Sequence, residues 1–171
     1  MMPTHKMNTL VIVSSYHQMN TEKIAMRIAR VLNANIVSAK KVNADKMSDF
    51  EMIGFGSGIY DAKHYINILS LVDKLPVRKN MKAFIFSTDG APRFIFKSEL
   101  WLKDKMNKDH AVLREKLKDK GYEIVGEFNC PGLNKNSFLK YIGGFNKGRP
   151  NESDLLMAEK FANKLQNDWL I

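Results

Sequence analysis

The sequence predicts an α/β fold: a three-layer, doubly wound sandwich around a five-stranded parallel sheet in the order 2-1-3-4-5. Three observations carry this. Short apolar runs alternate with amphipathic stretches, as in repeated βαβ units. Runs such as Leu10-Val11-Ile12-Val13 have the continuous β-branched character of strands covered on both faces. Three of the runs end in polar loops that right-handed crossovers in this order bring side by side.

The first strand is expected over Thr9 to Ser14. Ile24, Ile28, Val31 and Leu32 then recur at helical spacing from Thr21 to Asn33, with Ala25 and Ala29 permitting close approach to the sheet. Ala34 to Ser38 reads as a short second strand. Phe50 to Gly56 reads as the third, ending in the loop Gly56-Ser57-Gly58-Ile59-Tyr60. A helix from Ala62 to Lys74 is closed by Pro76. Met81 to Ser87 is the fourth strand, followed by Thr88-Asp89-Gly90-Ala91-Pro92. Helical material then runs to Lys120, where Gly121 suits a C-terminal cap. Asn107 and Asp109 interrupt its apolar stripe, so a break into two helices is expected there. Tyr122 to Asn129 is the fifth strand. A long loop with Gly143-Gly144 leads to a last helix opening near Glu152 and carrying Leu155, Leu156, Ala158, Phe161, Ala162 and Leu165.

Residues 7 to 171 read as one domain, with residues 1 to 6 an N-terminal extension. A hydrophobic share of 44% and a charged share of 26% are ordinary globular values and argue against disorder. No apolar run approaches the roughly 20 residues of a membrane-spanning helix, and residues 1 to 6 lack the apolar core of a secretory signal. The single cysteine, Cys130, excludes an internal disulfide and reads as a small buried residue. These features point to the cytoplasm. The net charge of +9 favours negatively charged partners. Nucleic acid is disfavoured, because most lysines interleave with acids, as in Glu115-Lys116-Leu117-Lys118-Asp119-Lys120. Pro131 to Pro150 differs, carrying Lys135, Lys140, Lys147 and Arg149 and no acid. His5, His17, His64 and His110 show no metal-ligand spacing. Trp101 and Trp169 read as packing residues.

Candidate binding residues lie where strands end. The first loop offers Ser14, Ser15, Tyr16, Asn20 and Thr21 as neutral donors, backed by a helix N-terminus that favours an anion. The alternative is an ordinary capped helix, with Asn20 or Thr21 as N-cap.

Several segments resemble the flavodoxin-like family, and the likeness covers essentially the whole domain. Asn20-Thr21-Glu22 ahead of Ile24-Ala25 looks like the end of a flavodoxin phosphate loop, although the loop is longer and lacks the usual glycine. Gly56-Ser57-Gly58-Ile59-Tyr60 and Ser87-Thr88-Asp89-Gly90 look like the loops bordering a flavin ring. Gly143-Gly144-Phe145-Asn146-Lys147-Gly148-Arg149-Pro150-Asn151-Glu152, ending in Asp154-Leu155, resembles a C-terminal signature of a flavodoxin-domain subgroup. The resemblance implies non-covalent FMN held by Ser14, Ser15, Tyr16, His17, Met19, Asn20 and Thr21 at the phosphate side. It implies Ser57, Gly58, Ile59, Tyr60, Ser87, Thr88, Asp89 and Gly90 at the ring.

Tyr60 is the leading lid for the flat, apolar ring, with Ile59 beside it and Phe94 as a further candidate. The family's redox-linked peptide flip would fall at Ser57–Gly58, where glycine makes reorientation cheap, or that segment is simply a tight turn. Asp89 would oppose negative charge on a reduced flavin, but Asp89-Gly90 is also a common turn pair. The implied function is an electron carrier between redox partners; the basic charge of this chain, unlike that of typical flavodoxins, points to an acidic partner protein, or the partner is a small electron acceptor. The basic Pro131–Pro150 stretch is the best candidate for a docking or substrate-shaping loop, able to form one wall of an open cleft over the flavin, or it is merely a surface connection. The alternatives are an FMN-dependent NAD(P)H:quinone-type or protoporphyrinogen-type oxidoreductase, and a flavin-free domain that keeps only the fold.

Overall fold

The computed structural model describes residues 7–15 and 19–168. Among them the chain runs β1 (Thr9–Ser14), α1 (Asn20–Leu32), β2 (Asn35–Ser38), β3 (Met52–Tyr60), β4 (Lys63–His64), α2 (Ile66–Lys74), β5 (Met81–Asp89), α3 (Glu99–Asp119), β6 (Tyr122–Pro131) and α4 (Glu152–Asn167). Five strands pair in parallel in the order β2-β1-β3-β5-β6, which is the expected 2-1-3-4-5 once the two-residue β4 is set aside. The helices pack on both faces. Strand alternation sends Val11, Val13, Phe84 and Phe86 into one core layer with α1 and α4. Leu10, Ile12, Phe55 and Ile85 enter the other, with α2 and α3.

Two close approaches fix the middle of the sheet. A Cβ on Gly54 would lie 2.2 Å from the Phe84 ring, and one on Gly56 would lie 2.1 Å from the Phe86 ring. The glycines of β3 are therefore the floor on which the β5 phenylalanines lie.

Three expectations are corrected. First, β3, β5 and β6 each run past their expected ends, so Gly56 to Tyr60 is strand rather than loop. The added residues keep their backbone hydrogen bonds because neighbouring strands lengthen together. Second, no helix begins at Ala62. Asp61 (φ 48°) and Ala62 (φ 56°) are both left-handed, as the two central residues of a I′ hairpin must be, and they turn β3 back into β4. Third, α3 is continuous through Asn107 and Asp109. Asp109 and His110 are buried on its inner face, but each has its own partner: Lys105 one turn earlier for Asp109, and the sheet for His110. Polar groups that bring partners do not break a helix.

Candidate functional site

The tips of β1, β3 and β5 and the start of α1 enclose a crevice of about 280 Å³. Its expected lining residues are Ser15, Asn20, Thr21, Gly58, Ile59, Tyr60, Thr88, Asp89 and Gly90. Residues 132–136 (Gly132, Leu133, Asn134, Lys135, Asn136) form a further wall, so the start of the long loop shapes the crevice as one of its expected roles requires. The amide-rich run Asn134-Lys135-Asn136 directly after a strand end was the available signal.

At the floor, α1 opens without a side-chain cap. Met19 stands at the N-cap in the left-handed region (φ 52°), and its side chain accepts nothing. Neither Asn20 nor Thr21 caps the helix; both lie inside its first turn, so the first-turn N–H groups remain available beside the crevice. Asn20 is instead turned to the new wall, donating from Nδ2 to the Leu133 carbonyl at 2.9 Å. Thr21 Oγ1 and Thr88 Oγ1 are 2.8 Å apart. One of the two hydroxyls must donate to the other, which leaves a single proton between them for a ligand.

Three serines assigned to the site lie elsewhere. Ser14, Ser57 and Ser87 stand in register with one another and with Asn129 across four strands. They share the α2/α3 face, one step below the strand tips, because period-2 alternation turns them away from the crevice. Ser14 meets Asn67 of α2. Ser57 and Ser87 are fully buried and each binds a histidine: His64 Nδ1 at 2.8 Å from Ser57, and His110 Nε2 at 2.8 Å from Ser87. Met19 is half-exposed and does not line the cavity. Phe94 is 63% exposed and packs edge-on against Phe145, so it is no lid. Tyr16 and His17, like His5 and Trp169, lie outside the described residues.

The histidine pair is the feature that sequence reasoning missed. The His64 and His110 rings are 4.9 Å apart and both are buried. Ser57 Oγ donates to the Gly58 carbonyl and accepts from Tyr65 N–H, each at 2.9 Å. That selects the His64 tautomer with its proton on Nδ1, and Nε2 is left as a buried atom without a hydrogen-bond partner among the described residues. Burial first, and the neighbouring His110 second, push the His64 pKa well below its ordinary value. Beyond it, His110 Nδ1 meets Glu127 Oε2 at 2.8 Å, and Arg114 grips the same carboxylate. Burial works against ionisation of Glu127, but these bonds outweigh it and hold its pKa at about 2. The network returns to the crevice: Asn129 bridges Ser87 and Arg93, and Arg93 clamps Asp89 with both terminal nitrogens. Asp89 also accepts from Ala91 N–H at 2.8 Å, so it serves as a turn residue with its charge compensated. Cys130 is buried, and desolvation raises its thiol pKa, which makes it a packing residue and not a nucleophile.

The glycine-rich segment after residue 142 pins the wall in place. Asn134 and Phe145 exchange backbone hydrogen bonds, and Leu133 N–H reaches the Arg149 carbonyl. Asn146, itself left-handed, donates to the Ala91 and Gly132 carbonyls and accepts from Arg93 N–H. Gly144 (φ 86°) must be glycine, since a Cβ would lie 2.5 Å from the Asn134 carbonyl oxygen. Asp154 closes the motif from the first turn of α4. Fully buried, it completes a capping box with Asn151 and binds Arg149.

This architecture recurs in solved structures. It is similar to a flavodoxin from the domain Archaea, with a TM-score of 0.65 and 14% identity over 95% of this chain and 98% of that one. It is also similar to oxidised flavodoxin 2 of Bacillus cereus, with a TM-score of 0.64 and 16% identity over 95% and 99%. A third likeness is the Fusobacterium nucleatum flavodoxin bound to flavin mononucleotide, with a TM-score of 0.62 and 14% identity over 95% and 99%. These establish a shared flavodoxin-like fold. In sequence, the chain is 45% identical to an uncharacterized protein of Methanocaldococcus jannaschii, over 93% of its own length and 98% of that protein's. The flavodoxin domain model matches residues 10–130, and the chain belongs to the flavodoxin domain family.

Proposed function

We propose that the crevice binds FMN and that the protein carries electrons between redox partners in the cytoplasm. The observation that carries this reading is the N-terminus of α1, without a side-chain cap among the described residues, facing a cavity lined mostly by neutral hydroxyls, amides and backbone. A phosphate dianion is stabilised by first-turn N–H groups and the helix dipole without a fixed counter-cation. The Thr21–Thr88 pair supplies one hydroxyl donor and Ser15 another, and Lys135 supplies a cation at the wall. Ile59 and Tyr60, carried on the β3–β4 hairpin, present the apolar and aromatic surface that a flat heterocycle needs. The clamped Asp89 adds little repulsion against an electron-rich ring. The donor set therefore fits FMN, and the FMN-bound state of the Fusobacterium nucleatum flavodoxin supports the choice of ligand.

When bound, FMN would supply the one- and two-electron chemistry, while the chain orients it and sets its surroundings. Asn20 ties the phosphate end of the crevice to the wall, and the Ser57 hydroxyl holds the Gly58 carbonyl at the other end. The test is an absorption spectrum of the purified protein followed by FMN titration. Stoichiometric uptake supports the reading, and no uptake overturns it. Steady-state NAD(P)H oxidation with a quinone acceptor then separates the two activities. A carrier stays idle without a separate reductase, whereas an oxidoreductase turns over alone.

A further inference from the structure

Resting on the electron-carrier reading, we propose that the surface beside the crevice mouth, formed by residues 93–97 and 140–147, docks an acidic redox protein. Two segments far apart in sequence make this surface. Asn146 binds the backbone of residues 91 and 93, and the Phe94 and Phe145 rings meet at 5.8 Å. Both segments adjoin the crevice, through Gly90 on one side and Asn134 to Asn136 on the other.

The surface combines exposed apolar groups with uncompensated positive charge. Phe94, Ile95, Tyr141 and Ile142 are 63%, 59%, 81% and 57% exposed. Aromatic and aliphatic groups so displayed are the usual centre of a contact surface. Around them stand Lys97, Lys140 and Lys147, all exposed, and none has a carboxylate at salt-bridge distance among the described residues. Lys140 instead lies over the Tyr141 ring, 4.9 Å from its centroid.

By contrast, Lys105, Lys116 and Lys118 of α3 are paired with Asp109, Asp73 and Glu115. The arginines of the two segments, Arg93 and Arg149, are consumed internally by Asp89 and Asp154. Neither segment contains an acidic residue from Gly90 to Ser98 or from Pro131 to Asn151. These two segments therefore present positive charge with no acid of their own beside the crevice mouth, where an incoming donor or acceptor must approach. Charge of one sign around an apolar centre steers the opposite sign into register and raises the encounter rate.

The probe is an acidic plant-type [2Fe–2S] ferredoxin, with basic cytochrome c as the counter-probe. Complex formation is followed by titration calorimetry from about 20 to about 300 mM salt, across which screening tightens strongly. Flavin reduction by the photoreduced ferredoxin is followed separately by stopped-flow absorption. The ferredoxin should bind and the cytochrome should not, with affinity falling steeply as salt rises. The triple variant Lys97→Glu, Lys140→Glu, Lys147→Glu should weaken ferredoxin binding about tenfold or more at low salt, with FMN uptake unchanged. Tyr141→Ser should weaken it independently of salt.

Equal affinity in the charge-reversed protein, or preference for the cytochrome, overturns the docking surface. So does selective loss of binding to vesicles of anionic lipid with ferredoxin binding intact. Ferredoxin binding without FMN uptake would instead sink the carrier reading while leaving the docking surface standing.

Discussion

Thr21 and Thr88, 67 residues apart, meet through their hydroxyls at 2.8 Å and join the start of α1 to the tip of β5. The contact is made by the same atoms that face the crevice, so it organises the site while leaving one hydroxyl proton for a ligand. Thr21→Val keeps the shape of the side chain and removes the hydroxyl. It should raise the Kd for FMN roughly fivefold, the effect of about 1 kcal/mol from one hydrogen bond. Tyr60→Leu should cost less, because Ile59 and Tyr65 remain beside it. Titration of apo-protein with FMN checks both, and an unchanged Thr21→Val affinity would move the phosphate site elsewhere.

Acid sensitivity follows from the buried polar layer. His64 has a native pKa well below its unfolded value of about 6.5, so the unfolded chain takes up a proton that the native state refuses. Stability is therefore full above pH 6.5 and falls as pH drops below it, by up to ~1.4 kcal/mol per pH unit. Glu127 adds a second loss at lower pH: its native pKa of about 2 lies below the ordinary 4.5, so its contribution is present above 4.5 and disappears toward 2. Urea unfolding at pH 7 and pH 5 should show the first loss in the wild type and little of it in His64→Asn. A variant with the same pH dependence would assign the loss to another group.

The β3 glycines should resist enlargement. Gly56→Ala places a methyl group against the Phe86 ring in a closed core, which should destabilise the protein by about 1–3 kcal/mol. Gly56→Ala combined with Phe86→Leu should recover part of the loss if the clash is the cause. Chemical denaturation of the two variants measures this.

Asn146→Ala removes the side-chain bonds that bridge Gly132 to Ala91 and Arg93 in the loop after β5. The helices and sheet do not depend on those bonds, so Tm should fall by only a few degrees. FMN binding should weaken about tenfold, because the wall, still tied by its backbone bonds and by Asn20, is held less firmly for the ligand. A large loss of Tm with unaltered binding would contradict this division of labour.

The sheet was legible in the sequence because continuous apolar runs between amphipathic helices admit few other folds. The crevice was legible in part, because the polar ends of β1, β3 and β5 must converge once the strand order is known. Ser14, Ser57 and Ser87 were misplaced because small polar residues look alike on either face of a strand, and only the register decides where they point. The Ser87–His110–Glu127 chain was hidden for a related reason: its members come from three elements, and none has meaning alone. Asn107 and Asp109 even read as a helix break, since a buried acid interrupts the apolar stripe and the stripe does not show that Lys105, one turn earlier, pairs with it. The long loop was legible as a wall, but not which of its residues line the crevice, because the bond that seats residues 132–136 against α1 comes from Asn20, far away along the chain.

That wall has a practical consequence for anyone dissecting the protein. Trimming at the family boundary, residue 130, would preserve every parallel strand pairing except the last step of β6. It would nevertheless delete five of the crevice's lining residues, together with α4, which covers half of one face. Such a fragment would expose Ala25, Ile28 and Phe84 to water and leave the first turn of α1 open to solvent on one side. Ligand studies therefore call for the polypeptide through its last helix, and a negative result from the shorter piece would carry no information about the intact molecule.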